Sequence, residues 1–469
     1  MRVTTSVRGE GLSGYGRLSR LAVAGAVLAI LAAGCAGAPD SEPVGAGTSS
    51  SAPDSADDTR QSGSGDATGG ATSGPTGGSS AGEVPPGLEA FYEQELAWED
   101  CDGGECATLT VPIDYEQPEG ASIELALLRV PAGNSKQGSL VVNPGGPGGS
   151  GVDYAQRAGM IASDAVREHY DIVGFDPRGV ARSAPIECFD DAEMDEYLGS
   201  DPSPDDAAEE KASTELLKSF AAACDANAGE LLGHVSTVEV ARDMDVLRAA
   251  LGEDQLDYLG ASYGTFIGAT YAELFPENVG RFVLDGAVDP TMSSLEMGLG
   301  QAAGFEQATR EYVQSCVDGG DCPLGDDVDS GMQGIRDFLE ELDANPLPLE
   351  GDAAGELTEG WGVLGIIVAM YDEAAWPILT QALRAAEDGD ATMLMFLANI
   401  YAGRSADGTY ESNSMQAITA VNCLDRAAEP ELDPDGFRSS WYGFTVCPPR
   451  PPHPLIAYCD RIFAHPVRF

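Results

Sequence analysis

Basic residues are scarce in this chain. Its 469 residues hold 25 Lys+Arg against 77 Asp+Glu, a formal charge of −52. That deficit excludes a nucleic-acid partner, which needs a dense basic face, and broad electrostatic docking on anionic lipid. Histidine is scarcer still, with four in the whole chain, and no two cysteines stand at CxxC spacing. A zinc knuckle is therefore excluded, and no metal or cofactor is expected. What the chain does have is apolar mass. Hydrophobic residues make up 43%, enough for a sizeable core and too many for wholesale disorder. The basic residues are nearly all Arg, and Ala and Gly abound, which reflects GC-rich coding more than function.

The N-terminus reads as an export signal over residues 1–34. Arg2, Arg8, Arg17 and Arg20 precede an uncharged apolar run, Leu21 to Ala33, too short to span a bilayer as a stable helix. The run stops at Leu31-Ala32-Ala33-Gly34-Cys35, which resembles a bacterial lipoprotein cleavage site with Cys35 as the lipidated residue. A plain secretory signal is the alternative. Residues 35–84 are Gly, Ser, Ala, Pro, Thr and Asp with almost no large apolar side chain. Such a segment cannot offset its ordering entropy and is expected to be a tether, with a reach on the order of 40 Å. A diacylated Cys35 would then hold the globular part off the outer face of the membrane.

Cysteine usage agrees with export. The short-spaced pairs Cys101–Cys106 and Cys316–Cys322 read as local disulfides, and Cys188–Cys224 as a third. Beyond Cys35 there are nine cysteines, so at least one stands outside a pair.

From residue 85 to 290 short β-type runs alternate with helical ones. Ala107 to Ile113 and Ile123 to Val130 predict two strands joined by a turn through Gln117-Pro118-Glu119-Gly120. Ser139 to Val142, Tyr170 to Phe175, Leu256 to Leu259 and Arg281 to Leu284 are four more runs, each ending in a Gly-rich or charged loop. Thr237 to Leu251 has helical periodicity. Buried strands separated by helices predict a parallel sheet wrapped by helices, with the chemistry at the carboxyl ends of its strands.

Gly260-x-Ser262-x-Gly264 is the central motif. Alone it is weak, since Gly78-Ser79-Ser80-Ala81-Gly82 in the tether fits the same pattern. Context separates the two. Ser262 follows a strand-like run and precedes an amphipathic segment, Thr265 to Phe275, closed by Pro276. That is the strand–turn–helix setting of a nucleophile elbow, in which Gly260 and Gly264 let the sharp turn close. The second element is Asn143 to Gly149, a glycine-rich loop whose N–H groups can converge on an oxyanion. Gly146 is the expected donor there, and the Tyr263 N–H its partner. A phosphate cradle is the rival reading, but no Lys-Ser/Thr follows the glycines.

Four segments occur in order: NPGGPGGSG at 143–151, DIVGFDPRGVARS at 171–183, GASYGT at 260–265 and VLDGAVDP at 283–290. Together they resemble the secreted tripeptidyl aminopeptidases of actinomycetes, relatives of the prolyl aminopeptidases within the α/β-hydrolase superfamily. VPIDYEQP at 111–118, Trp376-Pro377-Ile378-Leu379 and AITAVNCLD at 417–425 are similar to further segments of that family. The resemblance implies an α/β-hydrolase core over 85–290, a mostly parallel sheet flanked by helices, and an inserted, mainly helical cap over 291–425. It implies serine peptidase chemistry that releases short peptides, tripeptides among them, from free N-termini, with cap carboxylates available to the substrate amine.

The tail departs from that pattern. A hydrolase of this class needs Ser, then an acid, then His in chain order. After Gly436 the chain reads FRSSWYGFTVCPPRPPHPLIAYCDRIFAHPVRF, with five Pro between 448 and 454. His453 and His465 fall here, but Asp460 and His465 are five residues apart, which leaves no room for a helix and strand between them. His169 and His234 precede Ser262, the wrong side for this topology. Residues 426–469 therefore read as aberrant, with the last strands, the acid and the His missing, and the function classes left are exopeptidase, esterase or lipase, and non-catalytic lipoprotein. A shifted reading frame near residue 437 is the expectation. Translating the DNA downstream of codon 437 in the other two frames should yield an apolar strand with a Gly-x-x-Asp-type loop and then a Gly-His; finding neither refutes it.

Overall fold

The computed structural model describes residues 84–320 and 322–426. The expected signal peptide, Cys35, the tether up to residue 83, and the tail with Cys447, Cys459, His453 and His465 lie outside the described residues. Seven strands form one sheet: β1 Glu99–Cys101, β2 Gly104–Pro112, β3 Ser122–Val130, β4 Gly138–Asn143, β5 Tyr170–Phe175, β6 Leu256–Ala261 and β7 Val279–Asp285. Their order is β1-β2-β3-β5-β4-β6-β7. The pairings β1–β2, β2–β3 and β3–β5 are antiparallel, and β5, β4, β6 and β7 run parallel. Each expected run is a strand; most gain a residue or two at an end, β5 matches its run, and β2 starts three residues earlier than expected and stops one short.

Alternation along the parallel strands decides which helix covers which face. Val141 and Val173 point into one cluster, and their neighbours Val142 and Ile172 into another. Helix α1, Gly151–Gln156, covers the second face with Val152 and Ala155. After β5 the chain makes an excursion through α2, Asp191–Leu198, and α3, Ala207–Asn227, with Cys188–Cys224 joining its ends. A crosslink across a loop of 36 residues contributes roughly 3–4 kcal/mol by restricting the unfolded chain. Cys101–Cys106 and Cys316–Cys322 are also bonded. Helices α4, Thr237–Ala250, and α5, Tyr263–Leu274, then cover the first face with Val240, Met244, Leu247 and Ile267.

The inserted segment follows β7. Helices α6 Ser294–Asp318, α7 Val328–Ala344, α8 Glu359–Ala369, α9 Trp376–Glu387 and α10 Thr392–Ala402 share a separate apolar cluster built on Trp361, Ile366, Leu379 and Leu394. A two-residue ladder, Leu347–Pro348 with Glu356–Leu357, interrupts the helices. The expected cap boundary at 425 is corrected here. Helix α11, Ser414–Asp425, packs Ala420 and Val421 into the core cluster, so the cap's own packing ends near Ala402. The buried Arg404 joins cap to core, bonded to Asp195 of α2 at 2.6 Å and to Asp352 at 2.9 Å.

The DPRG segment is explained by Arg178, which is completely buried. Its guanidinium donates to both oxygens of Asp243 on α4, at 2.8 and 2.7 Å, and to the carbonyls of Ile113, His234 and Pro112. All five N–H donors are used. Burial opposes the charge on Arg178, but the facing Asp243 carboxylate outweighs it and keeps the guanidinium protonated. The pair fixes the end of β2, the entry to α4 and the loop after β5 relative to one another. Among the described residues β7 is an edge strand, with Val283 56% and Leu284 38% exposed, the kind of edge that invites aggregation. Arg178→Met should cost about 3–5 kcal/mol in urea unfolding, because it strands the buried Asp243 charge. Adding Asp243→Asn should restore part of that loss; additive losses in the double variant would show that the two do not act as a pair.

Candidate active site

In the sheet Asn143 of β4 lies beside Gly260 of β6, so the loops that leave these two strands start as neighbours. This register brings the glycine loop to the GASYG turn. Ser262 sits between β6 and α5 with φ 54° and ψ −123°, outside the regions an L-residue prefers. The conformation is held from several sides. The Ser262 N–H donates to the Asp285 carbonyl at the end of β7, at 2.8 Å. The Ser262 carbonyl accepts from the Thr265 N–H at 2.8 Å and the Thr265 hydroxyl at 2.6 Å. Gly260 allows the turn to close, since a Cβ there would stand 2.4 Å from the Gly264 carbonyl oxygen.

Gly145 has φ 91°, and a Cβ on it would meet the Ala261 carbonyl oxygen at 2.5 Å and the Tyr263 nitrogen at 2.8 Å. Backbone therefore packs on backbone. The Asn143 side chain folds the loop back by accepting the Gly145 N–H at 2.8 Å, and the Gly149 N–H closes onto the Gly145 carbonyl at 3.0 Å. Tyr263 is the first residue of α5, so its N–H has no acceptor within the helix. Gly146 follows directly on the residue in contact with that nitrogen. Ser262 is exposed to solvent, while Tyr263 and Gly264 beneath it are buried. The loop is anchored behind by Asp176 of the DPRG segment, a fully buried carboxylate that accepts from the Ser150 hydroxyl and the Val152 N–H and pairs with Arg182 at 3.1 Å.

Residues that the sequence reading left unassigned also converge here. Helix α11 lies against Gly148 through the Ser414 carbonyl, and its far end reaches the elbow. Asp425 accepts the Thr237 N–H at 2.7 Å and the Thr237 hydroxyl at 2.5 Å, and that hydroxyl also meets the Tyr263 phenol. Asn413 bonds the carbonyls of Gly179 and Ile186, and Gln416 accepts the Cys188 and Phe189 N–H groups. The AITAVNCLD segment was the signal that α11 belongs to the site, but its spacing alone could not say so. The described histidines lie elsewhere. His234 pairs with Glu239 at 3.3 Å, and His169 sits at the amino end of β5 near the Ser135 carbonyl. Neither bonds Ser262.

Residues 138–328 match the model of the alpha/beta hydrolase fold. With the sheet order and the elbow, this defines the class: the chain has the α/β-hydrolase fold. Its relatives narrow the class. It is 41% identical over 339 residues to serine protease Hip1 of Mycobacterium tuberculosis, 40% over 325 residues to a carboxylesterase B of the same organism, and 35% over 353 residues to the tripeptidyl aminopeptidase of Streptomyces coelicolor. These alignments cover 71%, 68% and 70% of this chain. The chain spans 65%, 62% and 63% of the respective relatives. It is a homologue of actinobacterial serine peptidases. Among solved structures, a probable hydrolytic enzyme of Pseudomonas aeruginosa aligns over 67% of this chain and 68% of its own at 13% identity and a TM-score of 0.24.

Burial pushes the Asp425 carboxyl up to about 6, against the opposing pull of the Thr237 donors. A carboxyl raised in the folded state stabilises the fold fully at pH values below its unfolded pKa, near 4, and loses that contribution as pH rises through 6. The stability difference between the parent and Asp425→Asn should therefore drift against the parent between pH 4 and 6.5, by up to about 3 kcal/mol. Parallel stability curves for the two proteins would rule out a raised Asp425.

Proposed function

We propose that this chain is an extracytoplasmic serine peptidase that removes short peptides, tripeptides among them, from free N-termini, with Ser262 as nucleophile. The observation that carries the reading is the strained, solvent-exposed Ser262 packed backbone-to-backbone against the glycine loop at Gly145. The Ser262 hydroxyl attacks the scissile carbonyl, an acyl ester forms as the C–N bond breaks and the departing peptide amine takes up the hydroxyl proton, and water then hydrolyses the ester to release the short peptide. Negative charge developing on the carbonyl oxygen falls to the N–H groups of Gly146 and Tyr263, at the positive end of α5. The cap over residues 291–402 limits access to chain ends. The Cys35 anchor and the tether hold the unit outside the membrane, and the three disulfides suit that compartment.

Serine chemistry at full rate needs a base for the Ser262 proton, and no described histidine bonds it. Loss of triad partners lowers turnover by on the order of 10⁴–10⁶ yet leaves the contribution of the oxyanion donors. An esterase reading is favoured by the exposure of Ser262 and by the relative named carboxylesterase B. A fluorophosphonate probe should label the parent and not Ser262→Ala; equal labelling of both removes Ser262 from the mechanism, and no labelling of either leaves a non-catalytic lipoprotein. Tripeptidyl amides should be cleaved at least tenfold better than single aminoacyl amides or p-nitrophenyl esters. The reverse preference would make the protein an esterase.

A further inference from the structure

Outside the serine site, three carboxylates from three separate elements converge at the junction of core and cap. Asp201 lies in the loop between α2 and α3, Asp343 in the last turn of α7, and Glu359 at the first residue of α8. One carboxylate oxygen from each lies within 4.8 Å of the other two. Glu359 is only 7% exposed, and neither its Oε2 nor the buried Oδ2 of Asp201 meets any partner other than the facing carboxyl of the other residue. Their other oxygens are satisfied by Ser203, whose hydroxyl donates to Glu359 at 2.8 Å and whose N–H donates to Asp201 at 2.7 Å. The charged neighbours that act most strongly on Glu359 are Asp201 and Asp343, and those on Asp343 are Asp201, Glu209, Asp205 and Asp206. All are acids. A buried carboxylate without a counter-charge is among the costliest arrangements a fold can hold.

We propose that Asp201, Asp343 and Glu359 bind a calcium ion that clasps the cap to the core. The donors are all oxygen, with no His or Cys among them, which selects a hard cation. Two oxygens on opposite sides of one Ca²⁺, each about 2.4 Å away, stand about 4.8 Å apart, so carboxylate oxygens lying within 4.8 Å of one another are close enough to share one ion. An irregular set of three carboxylates, open on the Asp343 side and completed by water, suits Ca²⁺ better than the strict octahedron of Mg²⁺. The ion has a way in. A cavity of about 710 Å³ lined by Asp201, Glu209, Thr358 and Trp361 adjoins the cluster. The clasp would reinforce a contact already present, since the Thr358 hydroxyl before α8 donates to the Gly199 carbonyl after α2 at 2.7 Å. This site is independent of the serine chemistry.

The test uses the whole chain stripped with EDTA and titrated with CaCl₂ at pH 7.5, with MgCl₂ as the comparison. Calcium should raise the Tm by several degrees, with half-saturation at about 10⁻⁴–10⁻³ M, the range of extracellular modules. Terbium is the second probe, because Trp361 stands two residues from Glu359 and can sensitise its emission. Terbium luminescence should appear on Trp excitation and fall when CaCl₂ is added. Glu359→Gln relieves charge repulsion and so should fold, but it should lose both the calcium shift and the terbium signal. No calcium shift up to 10 mM in the parent, or a Glu359→Gln variant that keeps both signals, overturns the proposal. So does a Glu359→Gln variant that is more stable than the parent by the same margin with and without CaCl₂, since the pair then shares a proton and not an ion.

Discussion

At Ser262 the chain holds φ 54°, a conformation that costs about 1–3 kcal/mol for a residue with a side chain. It persists because the surroundings over-determine it. The Asp285 carbonyl takes its N–H, Thr265 takes its carbonyl, and Gly145 and Gly260 leave no atoms where a Cβ would collide. The fold can be read outward from this constraint. β7 must run beside β6 to present Asp285, β4 must run beside β6 to bring the glycine loop, and Asp176 must be buried to keep that loop in place. Relaxing the turn would release the hydroxyl and the Tyr263 N–H together, because adjacent residues carry them.

Scarcity of cations shapes the remainder. With 77 acidic residues against 25 basic ones, two buried arginines each serve several partners. Arg178 satisfies Asp243 and three carbonyls, and Arg404 satisfies Asp195, Asp352 and Asn399 while stacking on Trp361. Both sit where separate segments meet, one inside the core and one between core and cap. At the neighbouring junction of Asp201, Asp343 and Glu359 no such arginine acts, and the geometry there fits an ion in its place. A chain this acidic has two ways to bury carboxylates, an arginine fork or a bound cation, and the core–cap boundary holds a candidate for each.

Much of the core was legible from local pattern. The runs that became β4 and β5 were mostly apolar because both faces of the sheet are covered there, and that signature survives in a single sequence. The elbow was legible because strand, turn and helix are contiguous. The cap boundary was not. Helix α11 has the same helical character as α6 to α10, and only its contacts with Cys188, Phe189 and the DPRG loop assign it to the core. The excursion through α2 and α3 was equally hidden, because its amphipathic periodicity is weak and its closure rests on a disulfide between residues 36 apart.

Contiguity thus separates the two kinds of knowledge. Residues 138–143, 170–175 and 256–264 carry their strands, their turn and their nucleophile in uninterrupted stretches, so short-range physics names them. Everything that depends on residues far apart in the chain needed the folded chain. Gly145 against Tyr263, Asp425 beneath the elbow, and Asp201 against Asp343 and Glu359 are meetings of segments separated by more than a hundred positions. Carboxylates are so frequent here that no spacing could single out three of them. The fold did so, by bringing the other two to the buried Glu359.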